Sequence, residues 1–580
     1  MLKKSALIAF LSMLLTACGG GGGSGGSPVV SAPLPPVATA PRDVSKLTTN
    51  QTFEVRSATE TARYDLDTGQ TLLSESKDGG IVINYNAGSD SYTVTASDGR
   101  TASFAPANEV GMDDQRDRIF RTSSGSTSNY LTLAYAGYGS NLVTKSVALG
   151  FWQSNVVTGN IQDTNFDIFV YGFPASDAAI PVSGSADFRT DVFGFSSQVG
   201  LEPVSFRGSG TTVFDFLRGT FAMETTVDEY YLATGAQRFG ALYLRAAGDL
   251  SSSANAFDGT FIYDGSLNTI FGSLSGAFYG QTASEAGGIF SGDDGEGNSV
   301  VGGFTALRSG EATRNLSLYD LKYDQTFYTG TTTFVRRDYK DGSDGFVSGQ
   351  ESSNGQLHYR AADKSFQVAG YTAQYGGFAA AEIVSDAGAE FEVYRKTLDN
   401  REIQLSLYQP ANGGEIELTY SGFGIYSNVY EDAAQTNVEE MWLIYGQDTP
   451  DGVLGGRTGS ATYNGIARGT AGSSDGKREL SVTGTSQFLI DFATQGYSGW
   501  LRLAGRDKAD GTQVDFGQID LEPGTGIARN AFTTNLNSDG SFVGSIQSRF
   551  YGPTGQELAS VFRVLLDGYG IAGASVAKAD

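Results

Sequence analysis

Residues able to do covalent or acid–base chemistry are scarce in this 580-residue chain, which has one cysteine, Cys18, and one histidine, His358. A nucleophile–histidine–carboxylate relay needs an imidazole beside a hydroxyl or thiol, and zinc sites draw on several His and Cys donors. One histidine and one distant thiol supply neither. The pattern argues against an enzyme, and no catalytic residue, metal ligand or cofactor is assigned. A carboxylate pair can hydrolyse a glycosidic bond, yet with 64 Asp and Glu no pair stands out. His358 lies in the alternating run "GQLHYRA" and is expected as a strand residue rather than a haem ligand. "SGDDGEGNS" (291–299) has the oxygen-rich look of a calcium loop. It lacks the ligand spacing and the closing bidentate Glu, so a polar hairpin turn is expected.

Cys18 differs because its surroundings give the thiol a use. Lys3 and Lys4 precede an apolar stretch, Ala6 to Leu15, that ends in "LTAC" (15–18). The stretch is too short to span a bilayer. The tetrapeptide resembles a bacterial lipobox, in which the nucleophilic thiol takes a diacylglyceryl group and the signal, here residues 1–17, is cut before it. The resemblance makes Cys18 the lipid-attachment residue. Gly19, rather than Asp, implies onward transport to the outer membrane. With no second cysteine, no intramolecular disulfide is available. Residues 18–44 read as a Gly/Ser-rich, then Pro-rich tether, flexible first and stiffer later.

The rest of the chain must build what this anchor holds. Its 78 Gly, 36 Phe and 29 Tyr against 13 Pro suit short strands joined by tight turns. A net charge of −25 is spread without blocks, and no basic stripe exists to neutralise phosphates, which argues against nucleic acid. "FYGQTASEAGGIF" (278–290) returns as "FYGPTGQELASVF" (550–562), 272 residues on. Four more landmarks recur in the same order. "NYNAGSDSYTV" (84–94) meets "HYRAADKSFQV" (358–368), and "LTLAYAGYG" (131–139) meets "IELTYSGFG" (416–424). "FVYGFPASDA" (169–178) meets "LIYGQDTPDG" (443–452), and "GSADFRTDVFG" (184–194) meets "GSATYNGIARG" (459–469). A lobe is written twice.

The expected fold is all-β, with two tandem lobes. Each is a strand-rich handle domain (45–178 and 315–450) followed by a small soluble eight-stranded antiparallel β-barrel (181–308 and 456–580). In "FVGSIQSRF", Phe542, Gly544, Ile546, Ser548 and Phe550 share one face, mixing large and tiny residues as a filled interior requires. The opposite face is polar, which suits water rather than lipid. In "FYGxTxxE", Gly280 or Gly552 is expected to turn the chain, with the Thr and Glu bonding turn amides.

These signatures resemble surface lipoproteins of the transferrin-binding protein B type. That family has a lipobox, a Gly-rich tether and two handle-plus-barrel lobes. Its barrels open on "GxAxYxG"-like strands, met here by "GSADF" and "GSATYNG", and close on "FYGPxAxElGGxF"-like strand pairs. The resemblance implies capture of an iron source at the cell surface for a TonB-dependent outer-membrane receptor. It also implies that lobe one is the membrane-distal capture lobe. The first barrel lacks long insertions and the second lobe lacks cysteines. The ligand therefore stays open between a protein, haem, another iron complex and an unrelated solute. A structural or adhesive lipoprotein without a transport role is the alternative, and a lipid-anchored hydrolase a third. Individual ligand-binding residues are unknown. Two stretches of lobe one are candidate surfaces, Glu109–Asn129 and the aromatic "DVFGF" (Asp191–Phe195), the latter equally suited to packed core.

Overall fold

The computed structural model describes residues 42–580 except 114–115, 343–344, 370–376, 387–388, 399, 410–414 and 528. Cys18 and the rest of 1–41 lie outside the described residues. The chain divides into two compact units, Met1–Glu311 and Ala312–Asp580. Short 3-10 turns are the only helical elements among the described residues.

In the first unit, Ile81–Asn86 and Ser91–Ala96 alternate between buried and outward residues, the period of a half-buried strand. With Gln51–Glu54 and Thr101–Phe104 they form a four-stranded sheet. A seven-stranded sheet runs Thr71–Asp78, Arg56–Asp65, Ile161–Gly172, Val147–Thr158, Thr127–Ala134, Asp117–Ser124, Glu109–Asp113. Phe104, Phe120, Leu131, Trp152 and Phe169 fill the space between the two.

Eight antiparallel strands then close a barrel: Ser185–Ser197, Val204–Asp215, Thr220–Tyr231, Gln237–Leu250, Phe257–Asp264, Thr269–Tyr279, Glu285–Asp293 and Ser299–Gly310. The last pairs back onto the first. Its interior sets phenylalanines against glycines. A Cβ on Gly302 would fall 2.0 Å from the Phe290 ring, and one on Gly276 2.2 Å from Phe257. The rings occupy what the missing side chains leave, which is why large and tiny residues share a face.

The second unit repeats this with variations. Its seven-stranded sheet runs Ser365–Ala369, Phe346–Arg360, Gln325–Tyr339, Gln435–Gly446, Ser421–Glu431, Arg401–Tyr408, Phe391–Leu398. Its barrel strands are Ser460–Ser473, Glu479–Asp491, Gly496–Asp507, Gln513–Leu521, Ala531–Ser538, Ser541–Tyr551, Glu557–Leu566 and Tyr569–Ala579. Between the fourth and fifth strands only Asp520↔Asn537 and Leu521↔Leu536 pair.

Phe542 corrects the expected alternation. It is 68% exposed, while its neighbour Val543 joins the barrel core with Ile546 and Phe550. Leu536 pairs with Gly544 and Asn537 with Phe542, so Val543 is an extra residue. A bulge of one residue exchanges the faces on either side of it.

Candidate ligand-binding surface

The duplicated phrase proves to be the joint between handle and barrel. Phe278 and Phe550 enter the barrel cores, while Tyr279 and Tyr551 join the clusters shared with the handles. Gly280 and Gly552 are left-handed (φ 81 and 85). Their N–H groups donate to Phe173 O at 3.0 Å and to Gln447 O at 2.8 Å. Glu285 accepts the N–H groups of Lys145 (3.0 Å), Ser146 (2.7 Å) and Val147 (3.1 Å). Glu557 accepts those of Thr419 (2.6 Å), Tyr420 (3.0 Å) and Ser421 (2.7 Å), plus the Ser421 hydroxyl (2.8 Å). Burial pushes the Glu557 pKa up, and these donors pull part of that back. The carboxylates therefore bond amides entering the handle strands Val147–Thr158 and Ser421–Glu431, not the amides of their own turn as expected.

A second duplicated contact escaped sequence reading. Asn255 Nδ2 donates to Ala175 O (3.0 Å) and Phe278 O (2.7 Å). Asn530 Nδ2 donates to Thr449 O at 2.8 Å, and Phe550 N–H donates to Asn530 O at 2.9 Å. The signal was "NAF" at 255–257 and 530–532, which shares the offset of the lobes.

The sequence-stretch candidates fare differently. Glu109–Asn129 is not a loop end but runs through the strands Glu109–Asp113, Asp117–Ser124 and Thr127–Ala134, with 114–115 outside the described residues. Ile119 and Phe120 are buried, and Arg118 is held by Asp90 and Glu109, each at 3.0 Å. That arginine is committed within the handle. Asp191–Phe195 lies inside barrel strand Ser185–Ser197, where Phe193 stacks on Phe151 at 5.2 Å and Phe195 meets Phe166 edge-on at 3.9 Å. Asp191 accepts Ser140 N–H at 2.9 Å and Leu142 N–H at 3.2 Å. This segment fixes handle to barrel and is closed to a ligand. His358 is a strand residue with Nδ1 2.8 Å from Thr326 Oγ1. In 291–299, the Asp294 carboxylate accepts the N–H groups of Glu296 (2.8 Å) and Asn298 (3.2 Å), as a hairpin turn does.

The surface that stands out is the end of barrel one away from the joint. Its connections are 198–203, 232–236, 265–268 and 294–298. Val199, Leu201 and Leu267 are exposed there, as is Phe239 (56%) just beyond. Tyr243 and Phe271 are exposed on the adjoining outer wall, where Arg245 faces Ile262 and Ile262 faces Phe271. Arg207, Arg238 and Arg245 lie over Tyr230, Tyr231 and Tyr243 at 4.3, 5.6 and 4.5 Å. Barrel two has tight polar turns at the same end, "SDGKR" (474–478), "KADGT" (508–512), "DG" (539–540) and "DG" (567–568), with the exposed Phe542 and Leu565 flanking the last two. The row Arg245–Ile262–Phe271 is matched there by Asp520–Asn537–Phe542. Sequence reading missed this surface because its apolar residues are scattered over two connections and two barrel strands.

No family model matches the chain, and no curated protein does. Among solved structures it is similar to the transferrin-binding protein B of Neisseria meningitidis serogroup B. The two are 14% identical over 81% of this chain and 88% of that one, with a TM-score of 0.25. Intact two-lobed Ap-TbpB is 13% identical over 94% of this chain and 98% of its own, with a TM-score of 0.25. The haemoglobin receptor HpuA of Kingella denitrificans, in complex with human haemoglobin, is 15% identical over 48% and 94%, with a TM-score of 0.24. The architecture of this chain rests on its own strand pairing.

Proposed function

We propose that this chain is an outer-membrane surface lipoprotein, anchored through Cys18, that captures a protein or small solute at the far end of barrel one and presents it to a TonB-dependent receptor. The observation that carries this reading is the contrast between the duplicated barrels. Both barrels expose apolar side chains at this end, Phe542 and Leu565 in barrel two. Yet among the described residues only barrel one sets its own, Phe239, Leu267, Tyr243 and Phe271, beside arginines stacked on tyrosines, where barrel two has Asp-Gly turns. Folding alone does not call for that difference. Aromatic and arginine side chains at a surface concentrate binding energy. An iron-carrier protein or haem is the ligand class that the sequence resemblance implies.

Anchoring is tested through Cys18→Ser. Serine cannot take the thiol's part in lipid transfer, so the variant is expected to incorporate no labelled palmitate and to leave the detergent phase. Continued labelling would overturn the lipoprotein reading.

A further inference from the structure

We propose that the joint end of lobe one is a lipid-facing surface, which seats the lobe on the bilayer that holds Cys18. The proposal rests on the lipoprotein reading above.

The first support is where the tether joins the fold. Val44 N–H donates to Lys145 O at 2.8 Å, and Ser146 Oγ donates to Arg42 O at 3.5 Å. Lys145 and Ser146 are the amides that Glu285 grips. The first described residues thus leave lobe one beside the joint, opposite the connections that carry Leu267 and Val199. Residues 19–41 make 23 residues of chain between the anchor and that point. A chain of that length reaches at most about 80 Å. The 13-residue strand Ser185–Ser197, at about 3.3 Å per residue and a tilt near 40°, makes the barrel about 33 Å tall. Seating by the joint end needs no stretching. Turning the lobe over would lay the tether along the whole barrel.

The second support is the face itself. Val182 is 87% and Leu217 63% exposed, both far above the burial usual for such residues. They come from adjoining connections, because Gly184 O accepts the N–H groups of Phe216 (3.0 Å) and Leu217 (3.3 Å). Asn255 N–H donates to Asp177 at 2.8 Å and ties in the next connection. The connections at this end, 173–184, 216–219, 251–256 and 280–284, hold just two charged residues, Asp177 and Arg218, of opposite sign. The far-end connections hold Glu202, Asp294 and Glu296. With Arg42 and Lys145 beside these connections and Glu311 following the last strand, the face carries no net negative charge in a chain of net charge −25, and so meets an anionic membrane surface with least repulsion. Two apolar side chains bind lipid weakly, but a short tether keeps the effective concentration near millimolar, where weak contact suffices. The sequence resemblance implies a membrane-distal lobe one. Seating by the joint end brings the lobe down while its aromatic end still points outward.

The test uses the single thiol. Residues 18–580 are coupled through Cys18 to maleimide-bearing vesicles of phosphatidylethanolamine and phosphatidylglycerol with shallow-brominated acyl chains. That anchor does not depend on cellular lipidation, so failure of palmitate labelling and failure of seating are separate results. In Val182→Trp and Leu217→Trp the new tryptophan is expected to be quenched several-fold more than in Leu267→Trp at the far end. Amides of 173–184 and 216–219 in the unsubstituted chain are expected to exchange several-fold more slowly once coupled, and Val182→Glu with Leu217→Glu is expected to abolish that slowing. Equal or greater quenching in Leu267→Trp, or unchanged exchange at those amides, would overturn the proposal.

Discussion

Ala241 holds a left-handed backbone (φ 57) in a bulge on strand Gln237–Leu250, and the bulge on the corresponding strand of barrel two uses Gly517 (φ 70). Left-handed geometry costs a residue with a Cβ about 1–2 kcal/mol. Nothing lies within 4 Å of where a Cβ on Gly517 would fall, so backbone strain rather than crowding favours glycine there. Ala241→Gly is expected to stabilise lobe one by about 0.5 kcal/mol, the relief being partly offset by glycine's unfolded-state entropy. Gly517→Ala is expected to cost lobe two about 1 kcal/mol, and thermal melting checks both. Asp448 gives a pH signature. Burial pushes its pKa to about 6, against the opposing pull of Arg549. A carboxyl raised in the folded state favours folding while protonated, so its contribution is full below pH ~4 and lost as pH rises through ~6. About a third of the side chain meets solvent (31%), which discounts the effect to about 1 kcal/mol. Asp448→Asn is therefore expected to stabilise lobe two above pH 6 and to be neutral near pH 4, read from denaturant midpoints at both pH values.

At the joint, the same pair of elements is tied twice by one device. Glu285 and Glu557 each satisfy three main-chain N–H groups that precede a handle strand. Removing the carboxylate leaves those donors stranded, so Glu285→Ala is expected to destabilise lobe one by about 2–3 kcal/mol, seen as an earlier transition on melting. An unchanged transition would mean that water replaces the carboxylate. The repeated phrase was legible in the sequence as a turn. Its Glu was misassigned because sequence shows what neighbours it along the chain, and the amides it binds lie 136 to 140 residues away in the two copies. Face assignment by alternation held for Ile546 and Phe550 but failed at Phe542, since a bulge leaves no mark in a period-two pattern. The lobes also diverge in ways no alignment of phrases shows. Glu60 pairs across strands with Phe166 in one lobe, whereas Phe334 pairs with Glu440 in the other. The buried carboxylate and the ring have changed places.

Taken as a whole, the molecule has two units that each join a seven-stranded sheet to an eight-stranded barrel, and the far ends of the two barrels differ. The barrels and the all-β class were legible because phenylalanine–glycine alternation and turn spacing are local. The exposed end of barrel one was not, because its residues converge only when eight strands close. Each described unit contains its own handle core, barrel core and joint, so 45–310 and 315–580 are expected to fold separately, as circular dichroism would show. The most direct measurement immobilises three proteins: 45–310, 315–580, and 45–310 carrying Phe239→Ser with Leu267→Ser. Each is exposed to host serum and to haem, and the bound material is quantified. Retention by 45–310 alone, lost in its double variant, is the expected result. Equal retention by 315–580, or retention unchanged by the double variant, would contradict the account.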